Sequence, residues 1–367
     1  MTISDELALP LQSSSELYVP HIGWLRYPSS DIVLLHLREG SFEFREQAFL
    51  WSFLREDDTF LDIGAHCGLF SALASQIIGE NGRILAFEPN PDILPFLVAN
   101  TERDKVDVHA MALSDASGEA TLWQGGSSDT ALSSIAYELS NAKHSTVKTQ
   151  TLDDFLATID IGQVALAKVD VEGSELKLFR GAKQTLKRKS VLAFVVEFTE
   201  ENMRKSGYSA QQLTAELIEY GYRPYKLATE TAEIIPFEMN GAIEYENILF
   251  TYDLAAVLDR LGQRAPENAR RSKDIVDRGA AADALVRSLW SIEKEATKRL
   301  AIINELTAAL QRDKLARAIY AISRLRARFV ANLELKHRAD SIAIQPSCWR
   351  LALRAAIKVR LEFPSSF

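Results

Sequence analysis

Five carboxylates stand where an α/β chain most readily places chemistry. Asp62, Glu88, Asp115, Asp170 and Glu197 each fall at or just after the end of a short apolar, strand-like run. In a doubly wound sheet, ligands bind in the crevice beyond the carboxyl ends of the strands. One acid at such a place is ordinarily a helix cap or turn residue. Five together describe an acidic hollow, suited to a cationic ligand and to a hydroxyl group that must give up its proton. The first acid opens a glycine turn, Asp62-x-Gly64-x-x-x-Gly68. A dinucleotide site needs G-x-G-x-x-G, because the pyrophosphate must reach bare backbone. Here His66 stands where the middle glycine would be, and an acid ahead of the turn repels a pyrophosphate. Glu88, closing the next apolar run, is placed to take the two hydroxyls of a ribose.

These residues need a parallel sheet to hold them side by side, and the chain has the pattern of one. Phe60–Ile63 is a short buried strand, Leu69–Ile78 has helical apolar spacing, and Arg83–Phe87 is a second buried strand,. Pro91–Arg103 reads as the next helix and Val106–Leu113 as a third strand. Ala120–Trp123 returns briefly, and the polar stretch Gln124–Thr146, rich in serine and glycine, reads as a lid or binding loop. Val147–Leu152, Ala165–Val169 and Val191–Val196 are further strands, with helices over Leu176–Leu186 and Ala210–Tyr220. Tyr222–Leu227 and Asn247–Tyr252 read as a closing antiparallel pair. The alternation predicts an α/β fold with a doubly wound, mostly parallel sheet. Ahead of it, residues 1–58 form a lead-in: one or two short strands over Glu16–Leu37, then an amphipathic helix over Glu43–Leu54 that caps the sheet.

The 367 residues, 47% hydrophobic and 25% charged, can build a full core,. The net charge of −8 conceals an asymmetry: residues 1–261 carry 21 basic and 39 acidic groups, residues 262–367 carry 21 and 11. The methyl-rich, basic end therefore differs in kind from the acidic domain. Residues 59–254 are expected as the domain, 255–280 as a linker, 281–335 as a long amphipathic helix of coiled-coil character, and 336–367 as a basic tail without assigned fold. That helix offers a surface for a homo-oligomer or a partner helix. The tail lacks interleaved aromatics, so nucleic acid is not the expected partner. Two cysteines, Cys67 and Cys348, set no disulfide framework,. The first twenty residues lack a basic start and an apolar core, and no apolar run nears the roughly 18 residues of a membrane span. A cytoplasmic location is expected.

The run DIGAHCG…FEPNP…ALSD…TLDDFL…KVDVEGSELKLFRGA…VVEF resembles the FkbM-type family of S-adenosylmethionine-dependent methyltransferases over roughly residues 55–252. Its most specific piece is Lys168–Leu176 followed by Arg180-Gly181-Ala182. The resemblance implies a Rossmann-like class I fold with a seven-stranded sheet and O-methylation of a sugar, glycan or natural-product hydroxyl. It also implies S-adenosylmethionine as cofactor, whose sulfonium and ammonium suit the acidic hollow. On that basis Asp62, Gly64 and Gly68 would hold the methionine end, Glu88 the ribose, and Ser114 and Asp115 the adenine. Asp170 or Glu172 would face the acceptor and take its proton, with a pKa raised by partial burial beside other acids. His66 departs from the asparagine more usual in the family and is placed to contact the methionine end or the substrate. No metal is assigned; Asp170 as a cation ligand is the weaker reading. The alternative to an enzyme is an oligomeric scaffold in a polysaccharide-synthesis complex, built on the C-terminal helix.

Overall fold

A computed structural model describes residues 13–287, apart from 41, 103–105, 126–131, 141, 228–233, 239–242 and 285. The lead-in begins with an antiparallel hairpin, β1 (Ser14–Val19) and β2 (Gly23–Pro28), followed by helices α1 (Ile32–Glu39) and α2 (Phe44–Phe53). The one or two short strands expected over Glu16–Leu37 are β1 and β2, and the end of that stretch, from Ile32, is α1. Val33, Leu34 and Leu37 share one buried helical face, the Asp31 side chain accepts the Val33 N–H, and left-handed Gly40 ends the helix,. In α2 the expected packing residues, among them Phe44, Phe49, Trp51 and Phe53, are buried.

The domain then runs through β3 (Thr59–Ile63), α3 (Leu69–Ser75), β4 (Arg83–Phe87), α4 (Leu94–Thr101) and β5 (Val106–His109). Four short strands form a separate small sheet: β6 (Ala112–Leu113), β7 (Gly118–Gln124), β8 (Ser133–Ser134) and β9 (Lys143–Gln150). The chain returns to the main sheet by α5 (Leu152–Ala157), β10 (Val164–Val169), α6 (Glu175–Arg180), α7 (Lys183–Arg188) and β11 (Val191–Thr199). It closes through α8 (Glu200–Lys205), α9 (Ala210–Glu219), β12 (Arg223–Leu227), β13 (Ile234–Pro236), β14 (Tyr245–Thr251) and α10 (Leu254–Gly262).

The main sheet has the order β13-β12-β14-β11-β10-β3-β4-β5. β11, β10, β3, β4 and β5 are parallel, and β14, β12 and β13 close it antiparallel. The fold is the expected Rossmann-like α/β class; β13 makes the sheet eight-stranded where seven were expected. Its central strands read as unbroken apolar runs because both faces are covered. Phe60 packs into the core on one side with Trp51, Phe53 and Leu73, while Leu61 and Ile63 point into the other with Phe87, Phe179 and Phe194. The third strand expected over Val106–Leu113 divides into β5 and β6, which belong to different sheets. The stretch Gln124–Thr146, expected as a loop, contributes β8 and the start of β9.

Residues 255–280, expected as a linker, are helical: α10 is followed by helical backbone over 266–284. Val257, Leu261 and Val276 are buried, and Arg271 lies 4.7 Å over the Trp51 ring, so the polar composition is only the outer face of packed helices. Gly279 sits in this helix with its missing Cβ position 2.2 Å from Phe44 Cγ. Alanine is preferred over glycine in a helix by about 1 kcal/mol. The Phe44 contact reverses the sign: Gly279→Ala should lower stability by about 1–3 kcal/mol, read as a fall in Tm. A rise in Tm would refute that packing. Most of the expected helix 281–335 and all of the tail lie outside the described residues. Among the described residues no helix is long and apolar enough to cross a membrane.

Candidate active site

A cavity opens beyond the carboxyl ends of β3, β4 and β10. Its polar wall carries Gly64, His66, Glu88, Asp170 and Glu172; Met111, Leu113, Leu122 and Ile135 line the apolar side. The glycine turn builds the floor. Gly64 and Ala65 donate their N–H groups to Phe87 O at 3.0 and 2.9 Å, tying the end of β3 to that of β4. Gly64 lies at φ 85, and a Cβ there would stand 1.7 Å from the Asp170 carbonyl oxygen. Only glycine lets the β3 and β10 ends approach that closely. Gly68, at φ 86, starts α3 against Leu97.

Burial sets the charge state of the two leading acids. Asp62, 1% exposed, accepts a hydrogen bond from Ser71 Oγ at 2.6 Å. Desolvation pushes its pKa to about 6 against the opposing pull of Ser71 and Lys168,. Glu88, 6% exposed, accepts the His66 N–H at 2.9 Å and the Asn90 N–H at 2.7 Å, yet burial still raises it to about 7. His109, in β5 beneath it, is an aromatic packing residue stacked 5.0 Å from the Phe87 ring. The small sheet supplies one wall: Gln124 Nε2 donates to Asn90 Oδ1 at 2.7 Å, and Ser134 Oγ to the Glu172 carbonyl at 2.7 Å.

At the other end of the cavity, Asp170 carries the opposite perturbation to the one expected. Its burial favours the neutral acid, but the Lys168 ammonium, 2.6 Å from Asp170 Oδ2, outweighs that and holds the carboxyl below its usual range. Glu197 takes the burden instead: burial, then the Asp170 and Glu172 charges, raise it well above normal. Lys168 is 2% exposed and reaches Glu43 Oε2 at 3.5 Å. Buried Glu46, one turn further along α2, is pushed to about 7, first by desolvation and then by Glu43. Glu172 lies at φ 49, and its carboxylate accepts a hydrogen bond from Asn202 Nδ2. Glu175 has a structural role, accepting the Val171 and Gly173 N–H groups at 3.3 and 3.2 Å.

Residues 62–224 match the methyltransferase FkbM domain. The matched stretch starts on Asp62 and ends in β12, so it takes in the glycine turn, the cavity and most of the main sheet. Hexuronic acid methyltransferase AglP of Haloferax volcanii is 28% identical over 144 residues, which cover 39% of this chain and 56% of AglP. The chain thus spans about half the length of the curated relative it matches. Among solved structures, precorrin-6y C5,15-methyltransferase of Geobacter metallireducens is 15% identical, with 57% of this chain and 88% of that one covered at a TM-score of 0.32. Aeropyrum pernix fibrillarin, with S-adenosyl-L-methionine natively bound, is 12% identical, with 66% and 84% covered at a TM-score of 0.32.

Within the matched stretch the expected residues part into two groups. Gly64, His66, Glu88, Asp170 and Glu172 line the cavity; Asp62 and Gly68 stand just behind it, in β3 and at the start of α3. Four of the five acids, Asp62, Glu88, Asp170 and Glu197, cluster at the ends of adjacent strands. Ser114 and Asp115 do not line the cavity. They follow β6, and the Ser114 carbonyl packs where a Cβ of Gly181 would be, 2.0 Å away, against the junction of α6 and α7. Asp115 is exposed and accepts only a hydrogen bond from Ser114 Oγ at 3.1 Å. Met111, Ala112 and Leu113, just before them, line the cavity instead. The lead-in residues Asp31 and Glu43 were not legible in the sequence as neighbours of the cavity residues. Asp31, fully buried, has its Oδ2 3.7 Å from His66 Nε2, and Glu43 reaches Lys168. No local pattern marks a helix cap such as Glu43 as the partner of a lysine more than a hundred residues later.

Proposed function

We propose that this chain transfers a methyl group from S-adenosylmethionine to a hydroxyl of a sugar or related glycan compound, with Asp62, Gly64, His66, Gly68 and Glu88 on the donor side. The observation that carries the reading is Glu88: a buried carboxylate at the end of β4, fixed by two backbone N–H groups and open to a cavity with an apolar far wall. Such a group is shaped for the paired hydroxyls of a ribose, with the apolar wall left for the base. The Gly64 turn fits the same ligand, since Asp62 precedes it and His66 stands where a pyrophosphate would require bare glycine,.

When bound, the cofactor supplies a methyl group on a sulfonium centre, open to in-line displacement. The protein's contribution is alignment and charge. Asp62 and the turn hold the methionine end; Glu88 fixes the ribose; Met111, Leu113 and Leu122 exclude water around the base. Asp170 and Glu172 face the acceptor, where their negative charge favours loss of the hydroxyl proton. The similarity to AglP, a hexuronic acid methyltransferase, supports a sugar acceptor.

Isothermal titration with S-adenosylhomocysteine should show saturable binding by the wild type and none by Asp62→Ala. Absence of heat with the folded wild type would end the methyltransferase reading. A methyl-transfer assay against uronic acids and nucleotide sugars, read by mass spectrometry, should give a mass increase of one methyl group on oxygen. Methylation at nitrogen or carbon would overturn the acceptor class alone.

A further inference from the structure

We propose that Glu43, Asp170 and Glu197, with Asn247 beside them, form a binding site for one divalent cation of the magnesium, manganese or calcium kind. The three carboxylates arrive from separate elements, the start of α2, the end of β10 and β11, and each offers an oxygen within 4.8 Å of the others. Lys168 Nζ, 2.6 Å from Asp170 Oδ2 and 3.5 Å from Glu43 Oε2, bridges two of them. With all three carboxylates ionised, the cluster keeps an excess of two negative charges, which one divalent ion matches. Buried charge left unbalanced is costly, so the site favours either protons or a cation.

A second observation, separate from the acids, points to an ion. Asn247 stands directly opposite Glu197 in the β11–β14 register, which puts both side chains on one face of the sheet,. Its Nδ2 donates to Glu43 Oε1 at 3.3 Å, while its Oδ1 is buried without any hydrogen-bond partner. Glu43 Oε2 is likewise buried without a hydrogen bond, on a side chain only 5% exposed. A buried amide oxygen without a donor, beside a carboxylate oxygen met only by the Lys168 ammonium at 3.5 Å, is what an oxygen-ligated cation would satisfy,. The donor set is all carboxylate and amide oxygen, with no sulfur or imidazole, which selects hard cations over zinc or copper.

Asp170 also lines the cavity, so the ion would border the acceptor end. There it would orient the acceptor hydroxyl and lower its pKa, leaving Glu172 to take the proton. That use rests on the methyl-transfer reading; binding of the ion does not. The lead-in then has a chemical role, since it delivers Glu43.

Manganese(II) titrated into the full-length chain, with the free ion followed by electron paramagnetic resonance, should bind saturably at one ion per chain. Glu43→Gln and Glu197→Gln should each weaken binding by about tenfold or more, and Asn247→Asp, which adds a carboxylate, should tighten it. Both glutamines relieve like-charge repulsion, and circular dichroism checks that they fold. Should either fail to fold, Asn247→Asp decides the matter by the direction of its change. No saturable manganese binding below millimolar, or binding unchanged in the variants, would overturn the site. S-adenosylhomocysteine is titrated separately. Its binding without manganese binding removes the cation site and spares the methyltransferase reading; the converse removes the reading and spares the site.

Discussion

Gly64→Ala is expected to destabilise the protein by about 3–5 kcal/mol, a large share of the 5–15 kcal/mol that holds a typical domain folded. Two effects add. The residue lies at φ 85, where a Cβ costs roughly 1–2 kcal/mol,. The new Cβ would also stand 1.7 Å from the Asp170 carbonyl, a backbone atom held by the Asp170 N–H bond to Ile63 O and so unable to swing away. Forcing β3 and β10 apart there would widen the floor of the cavity as well. Gly207→Ala separates the two effects. Gly207 has φ 80 but nothing within 4 Å of its Cβ position, so only the conformational cost of roughly 1–2 kcal/mol should appear,. Thermal unfolding should show Gly64→Ala with a Tm about 10 °C or more below wild type and well below Gly207→Ala. Equal Tm values for the two variants would mean the strand ends do not meet as described.

The second large effect is on pH. In the folded, ligand-free protein Glu88 titrates near 7, against 4.5 for the free side chain. A raised carboxyl binds its proton more tightly when folded, so its contribution is full below pH 4.5 and is lost as pH rises through 7. The difference corresponds to about 3 kcal/mol. Glu88→Gln does not titrate. Between pH 5 and 8 its stability should therefore rise relative to wild type by about that amount, measured by urea unfolding at each pH. Ligand binding should run the other way. Ribose hydroxyls donate to the ionised carboxylate, so S-adenosylhomocysteine affinity should strengthen from pH 5.5 to 8, by up to about tenfold per unit below 7. Proton release measured by titration in buffers of different ionisation enthalpy would accompany it. Glu88→Gln should bind weakly and lose this pH dependence. A wild-type affinity flat across that range would show that Glu88 does not meet the ligand. Asp62, raised to about 6, adds a smaller slope that persists in the variant.

What the sequence determined by itself is the part of the molecule governed by near neighbours. Apolar runs closing on Asp62, Glu88 and Asp170, a glycine turn, and helices with caps such as Asp253 and the Ser209–Gln212 box are all written locally. They specify the parallel sheet, and the sheet places the carboxyl ends of its strands together. Periodicity fails where burial depends on a distant partner: helix 266–284 reads as polar linker because only its Ser272 and Val276 side reaches the core. Asp115 shows the same limit, since a strand end points to the cavity only if its strand lies in the main sheet, and β6 does not. Tertiary structure alone decided the charge states. A lysine in an apolar run gives no sign that it will lie 2.6 Å from Asp170 and hold it ionised. Nor does Glu43, more than a hundred residues earlier, reveal that it will share that lysine. Electrostatic energies depend on distance in space and on exclusion of water, and neither exists until the chain has folded.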